Sequence, residues 1–422
     1  TNGDFSAAGI NLVDNPNFTD TGSELVTNGD FTSASGWNIN ANWTIDTGAG
    51  TISSDGTSNN DVNQGTWFPV LSKSYKIVYT IDSITQGEFK IKLGGVTTTP
   101  RSSAATYTEY ITTTDLSDGG GRLRLQLDNL AICTISNVSV KELGADWTEF
   151  SGDPDSVSFG ENGVTLVQSS DLGSYSRVTQ SSVTSADKSY KVTYTIFDSA
   201  YTSGNKVQYY DGDSYVNLPE QGVGTHTFYY TREGANDTWI FNLKTYATPV
   251  TDFVTISSIS VQELGEGWTL GGGWSIGEDK AVAVSGTASK LQQTNPSLNG
   301  KSCKVTFTLS NYGGAGVLIV DFGSTSSSDI DEDGTHIRYG TYDQNYFQLY
   351  KSSTFSGDVT NVIVQELDPN GYWTLGTGWS IGADKAISTV TGSDSDITQS
   401  ILTVGKTYRT VYEIVDYDAG TA

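Results

Sequence analysis

The sequence predicts an all-β protein, a string of tandem antiparallel β-sandwich domains with a short N-terminal repeat segment. The first observation is composition: 11% of the 422 residues are aromatic, 47 are glycine, and no long Ala-, Glu-, Lys- or Leu-rich helical stretch occurs. The second is a strand-like segment with alternating apolar residues, which recurs four times. The third is the fixed order of tryptophan, tyrosine-rich and closing segments around it.

The recurring strand segment occupies residues 74–83, 189–199, 302–312 and 407–417. In the first copy Tyr75, Ile77 and Tyr79 fall on one face, and the later copies repeat this alternation. Period-two alternation is typical of an antiparallel strand with one buried face. Cys303 stands where the first copy has Tyr75, so we expect Cys303, like Cys133, to be a buried free thiol. A disulfide between repeats is the less favoured alternative.

Each unit opens with a tryptophan segment and closes with a V-x-V-[KQ]-E-L segment. The opening tryptophans lie six residues apart at Trp37 and Trp43, Trp268 and Trp274, and Trp373 and Trp379, while the second unit keeps only Trp147. This order predicts β-sandwich domains at residues 24–143, 144–265 and 266–369, and an incomplete one at 370–422. The last unit stops just after its tyrosine strand, so we expect a continuing chain or another chain to complete it. The linkers are very short, which favours a stiff rod.

A smaller repeat fills residues 1–23 and continues into the first domain. "TNGDFSAAGINLV", "DNPNFTDTGSELV" and "TNGDFTSASGWNI" place Phe5, Phe18 and Phe31 at 13-residue spacing. We predict a stalk segment that packs against neighbouring chains or the first domain. The alternative is a degenerate start of another domain, because "NGDF" also opens the first unit.

Charge excludes several partners. The formal net charge of −25 repels nucleic-acid phosphates and anionic membrane surfaces, so neither is expected to bind. No run of about 18 apolar residues is present to span a bilayer. The first ten residues have neither a basic nor an apolar signal-peptide region, and the chain does not begin with Met. We therefore expect it to begin inside a longer or processed protein.

The pattern "LVTNGDF…GW…W" at residues 26–43, followed by a tyrosine strand and "TISNVSVKEL", resembles the jelly-roll carbohydrate-binding modules of xylanases and cellulases. It is also similar to the tandem versions in phage tail-fibre and virion proteins. The resemblance covers about four-fifths of the chain, and its motifs are short and structural. It implies a β-sandwich, whereas the ligand of such modules changes while their fold is kept.

The tryptophan pairs have two interpretations, a packed core or a sugar-stacking platform. Glycines interrupt the stretch between Trp268 and Trp274, which predicts two short strands joined by a turn. Trp274 shares a face with Ile276, so we predict that the tryptophans pack in the core.

The second domain is the predicted place for a ligand. Consecutive aromatic residues in its strands force one of each pair outward, since alternation buries only one face. Exposed rings beside Asp, Asn and Gln suit sugars. The predicted carbohydrate-binding residues are Tyr210, Tyr215, Tyr229 and Trp239. The alternative is that these rings pack against a neighbouring domain or subunit.

Two charged clusters are weaker candidates. Asp329, Asp331 and Asp333 precede Gly334 at alternate positions, a pattern that predicts a structural Ca²⁺ loop or else a solvated acidic loop. The resemblance favours calcium, because family members often hold it. A basic patch is predicted from four cations on two strands, Lys90, Lys92, Arg122 and Arg124. It would bind an acidic polysaccharide or an acidic neighbouring subunit; the alternative is a solvated face that guards a sheet edge.

Catalysis is not expected, because His226 and His336 are isolated and no Ser/His/Asp arrangement or His-rich metal spacing appears. The many carboxylates leave a glycosidase pair open, but the repeats leave no segment for a catalytic domain. We predict a non-enzymatic structural protein on the virion surface or otherwise extracellular, a phage tail fibre or decoration protein. Its expected partners are other virion or fibre subunits, in a homo-oligomer, and cell-surface polysaccharide. The alternatives are a secreted bacterial adhesin, the non-catalytic carbohydrate-binding part of a polysaccharide-degrading enzyme, and a spacer without a ligand.

Overall fold

The computed structural model describes residues 3–117, 121–151, 156–168, 175–201, 206–232, 234–244, 252–368, 371–389 and 394–417. In this part of the chain the regular structure is β-strand, joined by turns and a single 3₁₀ turn at Pro296–Leu298. All the strand pairs are antiparallel, which confirms the predicted all-β class. None of its helices is long and apolar enough to cross a membrane.

The chain divides into two compact units. The first unit contains Phe5–Glu266 and Ser275–Asp279, and the second contains Thr1–Asp4, Gly267–Trp274 and Lys280–Ala422. The first unit holds two β-sandwiches, and the second unit holds a third sandwich followed by shorter hairpins.

The first sandwich is built around two strands that each run for 20 residues. The strands of the N-terminal segment and of this sandwich are β1 (Ala8–Asn11), β2 (Thr21–Glu24), β3 (Trp37–Asn38), β4 (Trp43–Asp46), β5 (Thr51–Ser54), β6 (Val62–Gln64), β7 (Ser74–Leu93), β8 (Val96–Thr97), β9 (Ala105–Thr112) and β10 (Arg124–Leu143). The pairing of β7 with β10 shifts register between Asp128 and Ile132, where Asn129 and Leu130 have positive φ. Each long strand therefore serves both layers of the sandwich.

The second sandwich separates the same layers into two sheets. Its strands are β11 (Thr148–Ser151), β12 (Val157–Gly160), β13 (Gly163–Val167), β14 (Tyr175–Gln180), β15 (Ser189–Ala200), β16 (Val207–Tyr210), β17 (Tyr215–Asn217), β18 (Gly224–Thr231), β19 (Trp239–Lys244) and β20 (Phe253–Leu264). One sheet has the order β12-β13-β20-β15-β18, with β1 also paired to β20, and the other has the order β11-β14-β19-β16-β17. Tyr190 and Tyr194 from the first sheet and Phe241 from the second share one core.

The third sandwich repeats the two-layer arrangement. Its strands are β21 (Trp268–Leu270), β22 (Trp274–Gly277), β23 (Lys280–Ala283), β24 (Ser289–Thr294), β25 (Ser302–Ser310), β26 (Leu318–Asp321), β27 (Gly334–Thr341), β28 (Tyr346–Lys351) and β29 (Gly357–Glu366). One layer has the order β21-β24-β28-β26, and in the other β29 lies between β23 and β25, which pairs with β27.

The tryptophans of these sandwiches are core residues, as predicted: Trp37, Trp43, Trp147, Trp268 and Trp274 are all buried. Cys133 and Cys303 are buried free thiols, which confirms that prediction as well.

The fourth predicted domain, residues 370–422, differs from its prediction. It has the hairpin pairs β30 (Thr374–Leu375) with β33 (Ile397–Thr398) and β31 (Trp379–Gly382) with β32 (Lys385–Ser388). Residues 407–417 form no strand, and the side chains of Val411 and Tyr412 are 76% and 74% exposed. The predicted strand is wrong here, because no closing segment lies beside these residues in the described part of the chain to supply hydrogen bonds and a buried face. Trp373 is likewise exposed rather than packed.

The N-terminal residues also differ in part from their prediction. β2 pairs with β10 of the first sandwich, and β1 pairs with β20 of the second. Phe5, Phe18 and Phe31 are fully buried and have φ values of 59°, 60° and 51°. β2 therefore packs against the first domain as expected, whereas β1 joins the second sandwich. The strands of this segment lie in sandwich sheets because strand edges and Phe side chains gain partners there.

Candidate functional site

The sheet β11-β14-β19-β16-β17 of the second sandwich presents a polar and aromatic outer face. Alternation along its strands turns Val178, Phe241 and Tyr209 inward to the core, and their neighbours outward. The outward rings and guanidinium form what we call the aromatic face: Phe150, Tyr175, Arg177, Tyr210 and Tyr215. Phe150 and Tyr215 are 42% and 39% exposed, so a ligand can reach these rings.

Arg177 links the two sides of the aromatic face. Its guanidinium carbon lies 4.7 Å from the ring centroid of Phe150 and 4.4 Å from that of Tyr175. Its Nη1 donates to the Tyr215 hydroxyl at 2.7 Å, and Tyr215 in turn packs against Tyr210 with centroids 5.2 Å apart. Cation–π and hydrogen-bond contacts of this kind hold several rings in fixed positions. Arg177 Nε has no hydrogen-bond partner among the described residues.

A row of amides crosses the same face. The register places Asn242 beside Gln208, and Gln208 beside Asn217. Asn242 Nδ2 donates to Gln208 Oε1 at 3.0 Å, and Gln208 Nε2 donates to Asn217 Oδ1 at 3.3 Å. Asn242 and Gln208 are buried, and Asn217 at the end of the row is exposed. Fixed rings beside an exposed amide suit the apolar and hydroxyl sides of a sugar.

Two of the predicted carbohydrate-binding residues lie elsewhere. Trp239 is fully buried and stacks on Tyr209, with centroids 5.8 Å apart and ring planes at 11°. The expectation that Trp239 is exposed is therefore wrong, because it shares the inward phase of β19 with Phe241 and Leu243. Tyr229 lies on the opposite sheet, where it pairs with Lys191. Burial, helped by the charges of Glu278 and Asp279, raises its pKa.

A second surface of the same sandwich is a cavity of about 220 Å³ on the other sheet. Its lining residues are Gly160, Glu161, Asn162, Gly163, Thr165, Phe197, Asp198 and Thr255. Phe197 is 50% exposed and is the single aromatic residue of this lining. The cavity has polar groups suited to hydroxyls but a single ring, so it is a weaker sugar candidate than the aromatic face.

Three of the four predicted cations of the first sandwich lie on paired strands, with Lys90 and Lys92 on β7 and Arg124 on β10 beside Lys92, whereas Arg122 precedes β10. Their charge is compensated locally. Lys90 forms an ion pair with Asp128, and Arg124 Nη1 lies 3.2 Å from Asp61 Oδ2. The Arg122 guanidinium covers the ring of Phe68. Binding of an acidic partner at this patch remains a prediction, and the two ion pairs argue against it because they already neutralise Lys90 and Arg124.

The acidic segment does not gather into a cage. Among the described residues no group of three or more His, Cys, Asp or Glu side chains is placed to hold a metal ion. The buried Ile330 pairs with Leu318 through backbone hydrogen bonds, which leaves Asp329 and Asp331 exposed on either side. Asp333 accepts a hydrogen bond from the Tyr312 amide at 2.8 Å. This arrangement does not fit the predicted calcium loop, and calcium binding remains a prediction.

The histidines are engaged singly with backbone groups. His226 Nε2 lies 2.7 Å from Gly222 O, and His336 Nε2 lies 2.9 Å from Glu332 O. Neither contact assembles a nucleophile or an acid–base pair.

Sequence reasoning missed Phe150, Tyr175, Arg177, Asn242 and Gln208. Their signal was present in the alternation of "WTEF", "SYSRVTQ" and "WIFNLK". Alternation gives two faces but does not show which distant strands are neighbours, so the cluster became visible only with the strand order.

The fold defines a class, a tandem antiparallel β-sandwich protein. No protein-family model matches the chain, and no curated protein matches it.

Some solved structures are weakly similar. The N-terminal CBM22-1–CBM22-2 tandem domain of Paenibacillus barcinonensis Xyn10C is 7% identical, with 60% of this chain and 100% of that chain covered and a TM-score of 0.21. A chain of Sulfolobus Turreted Icosahedral Virus is 11% identical over 72% of this chain and 84% of that one, with a TM-score of 0.18. A chain from the triple jelly-roll and turret assembly of an archaeal virus is also 11% identical, over 72% and 83%, with a TM-score of 0.17. Likenesses at these scores carry no argument about function.

Proposed function

We propose that the protein is a non-enzymatic surface protein of a virion, a tail fibre or decoration protein, whose second sandwich binds cell-surface glycans on the aromatic face. The observation that carries the glycan part is the fixed cluster of Phe150, Arg177 and Tyr215 beside the amide row. A pyranose ring stacks its C–H face on an aromatic ring while its hydroxyls exchange hydrogen bonds with amides and a guanidinium.

The glycan proposal is tested with a glycan array on the whole chain, followed by titration of the best ligand. Tyr215→Ala removes a ring and the hydroxyl that positions Arg177, so we expect at least a tenfold loss of affinity, on the order of 1.4 kcal/mol. Phe197→Ala and Tyr229→Ala are matched controls in the same sandwich and should bind as the unchanged chain does. Absence of binding to every glycan contradicts the proposal. So does a loss of binding in Phe197→Ala together with normal binding in Tyr215→Ala, which would assign the ligand to the cavity.

The virion part of the proposal is supported by the tandem repetition of like sandwiches along the chain. It is tested by mass spectrometry and antibody labelling of purified particles. We expect the chain on intact particles in a fixed ratio to the capsid protein. Its recovery only as a free secreted protein would contradict the proposal and favour the adhesin or polysaccharide-degrading alternatives.

A further inference from the structure

Each copy of the 13-residue repeat contacts the closing segment of one sandwich through an equivalent backbone hydrogen bond. Gly29 O accepts from the Val138 amide at 2.9 Å, and Pro16 O accepts from the Ile259 amide at 2.9 Å. Gly3, 13 residues ahead of Pro16, has its carbonyl 2.7 Å from the Val362 amide of the third sandwich. Val138, Ile259 and Val362 hold equivalent positions in the three closing segments. The copies therefore bind in reverse order. The third copy contacts the first sandwich, the second copy contacts the second sandwich, and the first copy contacts the third sandwich.

In two of the three sandwiches, a strand that precedes the hydrogen-bonded residue in the sequence also pairs with the closing segment. In the first sandwich, β2 pairs with the end of β10, with Lys141 opposite Glu24. In the second sandwich, β1 pairs with the end of β20, with Gln262 opposite Asn11. The amides that follow, at Leu25 and Leu12, donate to Val140 O at 3.0 Å and to Val261 O at 2.8 Å respectively.

The equivalent edge of the third sandwich has no such strand in the described part of the chain. β29 pairs with β25 through Gln365 and Glu366, but on its other side it meets β23 only at Gly357–Val359. Ile363 is 51% exposed, and Val364 is half-buried, whereas its counterparts Val140 and Val261 are fully buried. An unpaired strand edge with exposed apolar residues is a surface that another strand can extend.

A cavity of about 70 Å³ adjoins this edge. Its lining residues are Gly3, Trp268, Gln293, Asn295, Leu298, Phe347, Val362 and Val364. In the first sandwich the corresponding space is filled, since Val26 Cγ1 lies 3.1 Å from the position of a Cβ on Gly29, and Val26 is buried with Trp37. Val13 is buried in the same way with Trp147 in the second sandwich. In the third sandwich the corresponding position is 13 residues ahead of Val13.

We propose that this edge and cavity of the third sandwich bind one further strand of the 13-residue repeat, joined to Thr1 as β2 is joined to Thr27. The sequence "TNGDF" at residues 1–5 is identical to that at residues 27–31, which follows β2 and "LV" directly. The occupant is therefore an extended segment that ends in two aliphatic residues, of the kind Thr-Gly-Ser-Glu-Leu-Val. Its backbone pairs with β29 at Gln365, the counterpart of Lys141 in β10, and its final Val fills the cavity beside Trp268.

The proposal is tested by adding the sequence of residues 14–26, DNPNFTDTGSELV, ahead of Thr1 of the full chain. The matched control carries the same addition with Asp-Asp in place of its final Leu-Val. Hydrogen exchange followed by mass spectrometry reports protection of Ile363–Leu367. We expect protection there to rise at least tenfold with the first addition and to stay unchanged with the control.

Three results would overturn the proposal. Unchanged exchange with both additions would mean that the edge does not bind the segment, and equal protection with both would mean that the Leu-Val pair is not recognised. Protection of the original chain that rises with its own concentration would show that a second copy occupies the edge instead.

Discussion

At the scale of single residues, the inward positions of the tyrosine strands decide the chemistry of the cores. Tyr75 accepts a hydrogen bond on its hydroxyl from the Val70 amide at 2.9 Å, and Tyr190 accepts one from the Ser185 amide at 2.6 Å. The same position in the third sandwich is Cys303, which is fully buried. Burial raises the pKa of the Cys303 thiol to about 11, with the negative charge of Glu366 adding to the effect. Burial also raises the pKa of Cys133 to about 11, against a hydrogen bond with Ser54.

These thiols should be unreactive in the folded protein. The thiolate is the reacting form. At about pH 8 a raised pKa keeps the thiols protonated, and burial keeps the reagent away from them. We expect labelling by a disulfide reagent to be at least about 100-fold slower in the native chain than in urea. The variants Cys133→Ser and Cys303→Ser assign each rate. Rapid labelling of both thiols in the native chain would contradict the expected burial.

The same pKa shifts set a direction for alkaline stability. A folded pKa of about 11 lies above the ordinary value of 9.0, so the unfolded state loses its thiol proton first. The contribution of the two protonated thiols to the free energy of unfolding is therefore complete below about pH 9. It is lost as the pH rises through the folded pKa of about 11.

At the scale of elements, the N-terminal strands complete sheets in sandwiches distant in sequence. Glu24 Oε1 accepts from the Val140 amide at 2.9 Å, and Asn11 Oδ1 accepts from the Val261 amide at 2.9 Å. Positions 11 and 24 are 13 residues apart, so the repeat preserves an acceptor at the point where the paired strand turns away. The side chain replaces a missing backbone partner.

Loss of this acceptor should destabilise the first sandwich. Glu24→Ala leaves the Val140 amide without its side-chain acceptor, and we expect the free energy of unfolding to fall by about 1–3 kcal/mol. Glu24→Asn restores the residue type found at position 11 and should recover most of the loss. Urea denaturation followed by tryptophan fluorescence measures both variants. Equal stability of Glu24→Ala and the unchanged chain would show that the contact contributes nothing.

At the scale of the molecule, one type of hydrogen bond recurs within each of the two compact units. In the first unit the Phe159 amide donates to Ser74 Oγ at 2.9 Å, and the Ile276 amide donates to Ser189 Oγ at 2.8 Å. In the second unit the Ile381 amide lies 3.4 Å from Ser302 Oγ. Each serine begins a tyrosine strand and meets the opening hairpin of the following repeat. The first two sandwiches are therefore in contact and not only tethered by a linker.

Removal of one such bond should uncouple the first two sandwiches. Ser74→Ala leaves the buried Phe159 amide without an acceptor, at a cost of about 1–3 kcal/mol, and we expect calorimetry to show a broader or divided transition for Phe5–Glu266. Ser74 Oγ also lies 2.8 Å from Thr112 Oγ1. Thr112→Val removes only that contact and is the matched control. A single sharp transition with unchanged midpoint in Ser74→Ala would exclude the coupling.

Much of the fold was predictable because its signal is local. The alternation at Tyr75 and Tyr190 identified core strands, and Trp274 beside Ile276 indicated a packed tryptophan. The site was only partly predictable. Tyr210 and Tyr215 lie on the aromatic face, but Trp239 belongs to the core with Phe241 and Leu243. Ile240, between Trp239 and Phe241, is apolar too, so alternation alone did not show which phase of β19 faces inward.

The sequence by itself determined the all-β class, the order of the repeats and their buried thiols and tryptophans, since each depends on spacing within a few residues. Only the tertiary structure decided which strands become neighbours. Phe150 and Arg177 face each other across a pair, and the N-terminal strands join β10 and β20, because hydrogen bonding and burial between distant segments select those partners. The same selection left residues 407–417 without a sheet, since the strand-like pattern there has no paired strand in the described part of the chain.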